Sequence, residues 1–284
     1  MKVFPFKIPK SSEEAFIYQE DREYIFYDKY HQHEEIQISY IKKGEGTVLV
    51  GDMISEYKEG DILIVGSNLP HVFKSDISES KKKSVMLTIF FTKNSFGKNF
   101  FNLPELHSIE PFFEAIKNGI RIRNAKPSII KKFEKFKDAD KYDRFILFLY
   151  LLKAFCHAEK TPLSNYVFNK PFTDAEGKRM QMVFDFVMNN YQKNVTLDEV
   201  AQIATMTKNA FCKYFKTRTN KTFFQFLIEI RIEHAAKLLV KNKELSVIEI
   251  SEMSGFNNIS NFNRKFKEIK KKTPFEFKNS LSDS

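Results

Sequence analysis

Residues 255–277 read GFNNISNFNRKFKEIKKKTPFEF and carry six Lys or Arg together with aromatic residues at regular intervals. Phe262 and Phe266 are four positions apart, one helical turn, so they mark a buried face. Arg264, Lys265, Lys267, Lys270, Lys271 and Lys272 crowd the remainder. A strip of this kind recurs upstream: Phe211, Lys213, Phe215, Lys216 and Thr222 match Phe262, Arg264, Phe266, Lys267 and Thr273 at an offset of 51. Glu199-Val200-Ala201 likewise matches Glu249-Ile250-Ser251 at an offset of 50.

Each copy reads as a helix (LDEVAQIA, SVIEISEM), a short turn (TMT, GFNN) and a second helix (KNAFCKYFK, ISNFNRKFK). Ala201 and Ser251 are small where two steeply crossing helices need close backbone approach. With the Phe pairs buried, Thr207, Lys208, Asn209, Cys212, Lys213 and Lys216 face outward in the first copy. Asn258, Ile259, Ser260, Asn263, Arg264 and Lys267 do so in the second. Amide, hydroxyl and guanidinium groups with small apolar contacts are the chemistry that reads base edges in a major groove, so these residues are the candidate contacts to double-stranded DNA. Between the copies, TFFQFLIEIRIEHAAKLLVKN from Thr222 is a continuous helical pattern, with Phe226, Ile230, His234 and Leu238 on one face. Roughly 19 residues at about 1.5 Å each give a rod near 28 Å, similar to the ~34 Å between successive major-groove faces. The pattern predicts a double helix-turn-helix.

From about Thr196 to Phe277 the chain resembles the DNA-binding domain of AraC/XylS-type transcription regulators, through LDEVA, FCKYFK, RIEHAAKLL, EISEMSGF and FNRKFKEIKKKTPFEF. The resemblance implies a transcription activator that works with RNA polymerase and answers to a small organic effector, such as a carbohydrate or metabolite. Where that family usually has Gly after each second helix, this chain has Asn220 and Lys271. Asn tolerates a left-handed helix end and Lys does so poorly, so the second end is expected to be strained or to terminate differently.

Across all 284 residues the chain is 42% apolar and 15% aromatic, ample for two cores. Its formal charge of +10 calls for an anionic partner, and DNA, RNA and an acidic membrane all satisfy it. Residues 174–284 hold 19 basic and 13 acidic side chains, against 27 and 23 in the remainder, so clustering rather than net charge separates the halves. Cys156 and Cys212 offer neither a disulfide framework nor a metal knuckle, and the start lacks an apolar signal stretch. FILFLYLLKAFC from Phe145 is too short to span a bilayer, so a soluble cytoplasmic protein without membrane attachment is expected.

From Tyr24 to about Phe91 short alternating segments (EIQISYI, GTVLVGD, GDILIVG, SVMLTIFF) separated by Gly and by Asn68-Leu69-Pro70 predict a small β-barrel or sandwich. IEPFFEAIKNGIRI, PSIIKKFEKF and YDRFILFLYLLKAFCHAEK then predict helices. In the last of these Ile146, Phe148 and Leu151 widen the apolar stripe beyond one domain's need, which points to a homodimer through residues 128–159. The expected organisation is α+β with two domains: a barrel with its helical segment at 1–160, a linker at 161–173, and an all-α DNA-binding domain at 174–284.

His31 and His33, two apart, and His71, after the Gly60-Asp61 turn, resemble the cupin motifs, with Gln37 where metal-binding cupins place Glu. Three readings stand: hydrogen-bonded barrel residues, a polar floor for an effector built from His31, His33, Gln37 and His71, or a metal centre. The amide in place of a carboxylate favours the organic effector over a metal, so no cofactor is called for. Neither a phosphate-binding Gly loop nor a nucleophile elbow is present, and the expectation is a regulator rather than an enzyme. A metal-dependent cupin sensor, a cupin enzyme and a nonspecific architectural DNA binder are the competing classes.

Overall fold

The computed structural model describes residue 8 and residues 14–76, 83–167 and 173–280. The chain divides into two compact units, Met1–Gly177 and Lys178–Ser284.

In the first unit the strands are β1 (Ile17–Glu23), β2 (Ile36–Lys43), β3 (Gly46–Val50), β4 (Met53–Tyr57), β5 (Ile62–Val65), β6 (His71–Ser75), β7 (Ser84–Phe91), β8 (Ile120–Ile122) and β9 (Thr161–Pro162). They form one sheet in the order β1-β7-β2-β5-β8-β9 and a second in the order β4-β3-β6. Strand β2 pairs antiparallel with β7 from Ile36 opposite Phe91, and the register slips between Ile41 and Lys43. The period-2 alternation then sorts the side chains. Ile36, Ile38 and Tyr40, with Val85, Leu87, Ile89 and Phe91, lie in the core shared with the helices. Ile41, Leu63, Val65 and Met86 belong to the inner core, with Val48, Val50 and Phe73 of the second sheet. The intervening positions on β2, Gln37 and Ser39, are buried polar residues, as is Thr88 on β7.

Helices α1 (Glu110–Ala115), α2 (Pro127–Lys135) and α3 (Lys141–His157) cover the outer face. Asp140 caps α3 by accepting from the Asp143 amide at 2.8 Å. Phe148, Leu151, Leu152 and Phe155 are fully buried in the chain's own core. The surplus width that pointed to a homodimer is therefore filled from within at Phe148 and Leu151, because α1, α2 and the 3-10 turn Pro104–Ile109 pack on this helix and Phe91 of β7 meets Phe148.

Two further expectations change. Ile120–Ile122, read from sequence as helix, is a strand beside β5. Gly119 breaks the helix at φ +62, and the alternation of Ile120 and Ile122 then suits a pleated strand between β5 and β9. The expected linker begins too early: Thr161–Pro162 pairs with β8, Leu163 N donates to Gly119 O at 3.0 Å, and Ser164 Oγ donates to Asp52 Oδ1 at 2.7 Å. Residues 168–172 of that linker lie outside the described residues.

The second unit is helical: α4 (Asp174–Asn190), α5 (Leu197–Ile203), α6 (Lys208–Thr219), α7 (Phe223–Lys241), α8 (Val247–Met253), α9 (Ile259–Lys270) and α10 (Pro274–Asn279). Capping boxes open α5 (Thr196, Glu199), α7 (Thr222, Gln225), α8 (Ser246, Glu249) and α10 (Thr273, Glu276). Phe211 and Phe215 pack on Phe223 and Phe226, while Phe262 and Phe266 sit with Ile232, Ala236 and Leu239. The N-terminal half of α7 thus serves the first helix pair and its C-terminal half the second. No helix among the described residues is long and apolar enough to cross a membrane.

Candidate functional site

The turn of each helix pair closes by the same three hydrogen bonds. In the first, Ala204 N bonds Val200 O at 2.9 Å, Thr205 N bonds Gln202 O at 2.9 Å and Met206 N bonds Ala201 O at 2.9 Å. In the second, Ser254 N bonds Ile250 O at 3.0 Å, Gly255 N bonds Glu252 O at 2.9 Å and Phe256 N bonds Ser251 O at 3.1 Å. This arrangement satisfies the last carbonyls of the first helix while turning the chain sharply into the second. Thr207 then caps α6 and Asn258 caps α9.

All twelve residues expected to meet DNA are exposed. Thr207 and Asn258 already use their side-chain oxygens on the Ala210 and Asn261 amides, so their first task is to fix where each helix begins. Lys208 pairs with Asp198 at 2.8 Å, an exposed ion pair that a phosphate can displace. Asn209, Cys212, Lys213 and Lys216 line the outer face of α6; Ile259, Ser260, Asn263, Arg264 and Lys267 line that of α9. Arg264 donates through Nη2 to Asn261 Oδ1 at 2.8 Å, and its Nη1 lies 3.7 Å from Glu268. Asn261 is a contact that sequence reasoning missed, although an Asn three residues before an Arg on an exposed helix face is a legible signal.

Arg179 and Arg231 were also missed. Arg179 Nε donates to Ala204 O at 3.0 Å, holding the first turn. Arg231 donates to Tyr191 O at 2.7 Å and to Lys193 O at 2.8 Å, holding the loop that precedes α5. Both lie inside helical patterns where sequence alone gives no reason to separate a structural Arg from a solvated one.

In the first unit His31, His33, Gln37 and His71 do converge. His31 and His33 are not on a regular strand; His31 makes an isolated bridge to His71. The three rings lie 4.3 to 5.6 Å apart between centroids. Each presents Nδ1 to a main-chain carbonyl: Lys29 O at 2.7 Å, Glu35 O at 2.8 Å and Leu69 O at 2.8 Å. Those bonds place the ring proton on Nδ1 and leave the lone pair on Nε2. Burial, together with the neighbouring rings, holds His31 down at about 3 and His71 well below the usual imidazole range; burial also lowers His33. All three are neutral at pH 7.

Gln37 Oε1 stands 3.1 Å from Nε2 of His33 and 3.1 Å from Nε2 of His71, while its amide nitrogen donates to Ser39 Oγ at 2.9 Å. Three lone-pair atoms therefore face one another. Turning the amide over lets its NH2 donate to both rings and its oxygen accept from Ser39; a cation among them satisfies the same atoms. The donor set of neutral imidazoles backed by carbonyl-bound Nδ1–H fits a divalent transition metal. It fits an organic molecule less well, because His33, Gln37 and His71 are buried and fill the space between themselves. A cleft of about 430 Å³ in this unit is lined instead by residues such as Glu34, Ser67, Lys93, Asn94 and Val167.

A family model described as a helix-turn-helix domain matches residues 200–280, and one described as a cupin domain matches residues 26–90. The chain joins a cupin domain to an AraC-type helix-turn-helix domain. An uncharacterized HTH-type transcriptional regulator, YdeC of Bacillus subtilis, is 31% identical over 100 residues, which is 35% of this chain and 34% of that protein. An uncharacterized HTH-type regulator in the cgkA 5' region of Pseudoalteromonas carrageenovora is 38% identical over 97 residues, 34% of this chain and 57% of that protein. The lactose operon transcription activator of Staphylococcus xylosus is 30% identical over 93 residues, 33% of each chain. These matches span a third to just over half of the relatives' own length, and the cupin domain lies outside residues 200–280.

Proposed function

We propose that this protein is a sequence-specific DNA-binding transcription regulator, an activator whose cupin domain governs its DNA affinity. The supporting observation is the pair of identically closed turns that present α6 and α9 outward, each with cations for phosphates beside amide or guanidinium groups for bases. Response to an organic effector, pairing into a homodimer and contact with RNA polymerase belong to the same proposal; the resemblance to AraC-type regulators supports them.

The test is binding to fragments selected from random DNA, measured against salt. If six to ten phosphates are contacted, the log-log slope is about −5 to −9. A slope near zero, or equal affinity for the selected and unrelated duplexes, overturns the proposal.

A second reading, a metal-dependent sensor, is supported by the three histidines, whose potential ligand atoms all lie within 4.8 Å of one another. His31, His33 and His71 would hold the ion through Nε2, with Gln37 Oε1 as a weaker fourth donor. Elemental analysis separates the readings: near-stoichiometric zinc, iron or manganese lost in His71→Ala supports the sensor, and its absence from protein purified without chelator removes it.

A further inference from the structure

We propose that the small-molecule site of the cupin domain is the cleft on the helical side of its sheet, and that it takes a small hydroxylated anion, a sugar acid or a sugar phosphate. The proposal rests on the effector-responsive reading above.

The cleft lies outside the barrel. Its floor is Ile36, Phe113 and Ile116, all buried members of the core between sheet and helices. Gln37, the next residue on β2, has its side chain on the opposite face with the histidines. A volume near 430 Å³ is of the size that holds a ligand of one or two sugar rings.

The rim supplies the chemistry. Lys93 Nζ sits 4.3 Å from the centroid of the Phe113 ring, at the edge of the apolar floor. Among the described residues the acid paired with it, Glu110, is 3.8 Å away and exposed, beyond hydrogen-bond reach and easily given up, and the nearby Glu114 is already bonded to Lys117. A cation held against an aromatic face with so weak a counter-ion suits an incoming carboxylate or phosphate. Lys117 stands on the same lining but is engaged by Glu114 at 2.6 Å, so it is the secondary cation. Glu34 brings an acceptor to the rim, Asn94 a donor and an acceptor, and Ser67 a hydroxyl. A neutral apolar ligand would leave these groups idle; a hydroxylated anion uses them all.

The position also offers an outlet. Val167 lines the cleft. It follows the stretch tied down by the Ser164–Asp52 bond and by Asn165 N to Asp52 Oδ1 at 2.9 Å. A ligand resting on Val167 therefore touches the segment that continues toward the second unit. Coupling needs only that this contact differ between two states of that segment.

The test is calorimetry on the full chain without DNA, so that its outcome is independent of whether DNA is read as proposed. The probes are gluconate, glucose 6-phosphate, glucose and inorganic phosphate. The expected result is binding of gluconate or glucose 6-phosphate at about 1 mM or tighter, and at least about tenfold weaker binding of glucose and of phosphate alone. Which of the two anions binds distinguishes a carboxylate from a phosphate head. Lys93→Ala weakens that binding about tenfold or more, and Asn94→Trp, which fills the rim from an exposed position, abolishes it. Thermal midpoints of both variants are read alongside, so that loss of fold is seen as such. The proposal is overturned if no anionic probe binds at 1 mM, if glucose binds as well as the anions, or if Lys93→Ala and Asn94→Trp bind like the parent chain.

Discussion

The two helix-turn-helix copies are built to one plan and finished differently. Their caps correspond: Thr196 with Ser246, Thr207 with Asn258, Thr222 with Thr273, each accepting from the amide three residues on. Their tight turns differ. The first places Thr205 at φ 53 and the second Gly255 at φ 84. A side chain at 255 would meet Tyr191 O at 2.7 Å and Gln192 Cα at 2.9 Å, so the second turn is jammed against backbone where the first has room for a branched residue. Their reading faces differ as well: Lys213 stands where the second copy has Arg264, a point charge against a planar fork. Local hydrogen bonding is thus the shared part, and the divergence lies in neighbours and in the chemistry shown to DNA.

The largest effect expected from this contrast is at the turns. Gly255→Ala combines a left-handed backbone with a backbone clash and should cost about 2–4 kcal/mol of stability. Thr205→Gly at the matching position should instead stabilise by up to about 1 kcal/mol, since it relieves a conformation that branched residues avoid. Chemical denaturation of the two variants checks this, and losses of similar size at both sites would break the comparison.

Next come the reading faces. Arg264→Ala should cost about 1–3 kcal/mol at the best duplex and relax base choice, as removal of a bidentate guanine contact does. Lys213→Ala and Lys267→Ala should weaken all duplexes about equally. Competition binding with selected and scrambled DNA decides, and a uniform loss for Arg264→Ala would make it a phosphate contact. Asn261→Ala, which frees the Arg264 fork, should lose part of the same discrimination while leaving affinity for scrambled DNA unchanged.

The caps should respond alike: Thr196→Ala and Ser246→Ala are each expected to cost about 1 kcal/mol, measured by urea unfolding. Unequal costs would show that the copies are less similar than their hydrogen bonds suggest.

The smallest effect concerns the ends of the second helices. Asn220 at φ 55 and Lys271 at φ 61 both adopt the left-handed conformation. The helix therefore does not terminate differently at Lys271; it accepts the strain, with Lys271 N bonded to Lys267 O at 3.0 Å. Lys271→Gly should gain about 0.5–1 kcal/mol and Asn220→Gly only a few tenths, because Asn already tolerates the conformation. Thermal unfolding that ranks them the other way would remove this asymmetry.

The amino-acid sequence by itself determined the double helix-turn-helix, because its signals are local. Phe pairs one turn apart, capping residues three positions before their partners and two copies in register need no distant residue to be read. It also marked the alternating strands and, through the resemblance to the cupin motifs, offered His31, His33, Gln37 and His71 as one candidate cluster; that they meet was decided by the fold. The tertiary structure decided what depends on distant neighbours. It buried Phe148 and Leu151 within their own unit, turned Ile120–Ile122 into a strand between β5 and β9, and tied Thr161–Ser164 to the barrel. It also closed the histidine cluster on itself and opened a cleft at Glu34, Lys93 and Asn94 that no sequence motif marks. Periodicity tells which side of an element is apolar; what covers that side, and where space is left over, is settled only when elements far apart in the chain are packed together.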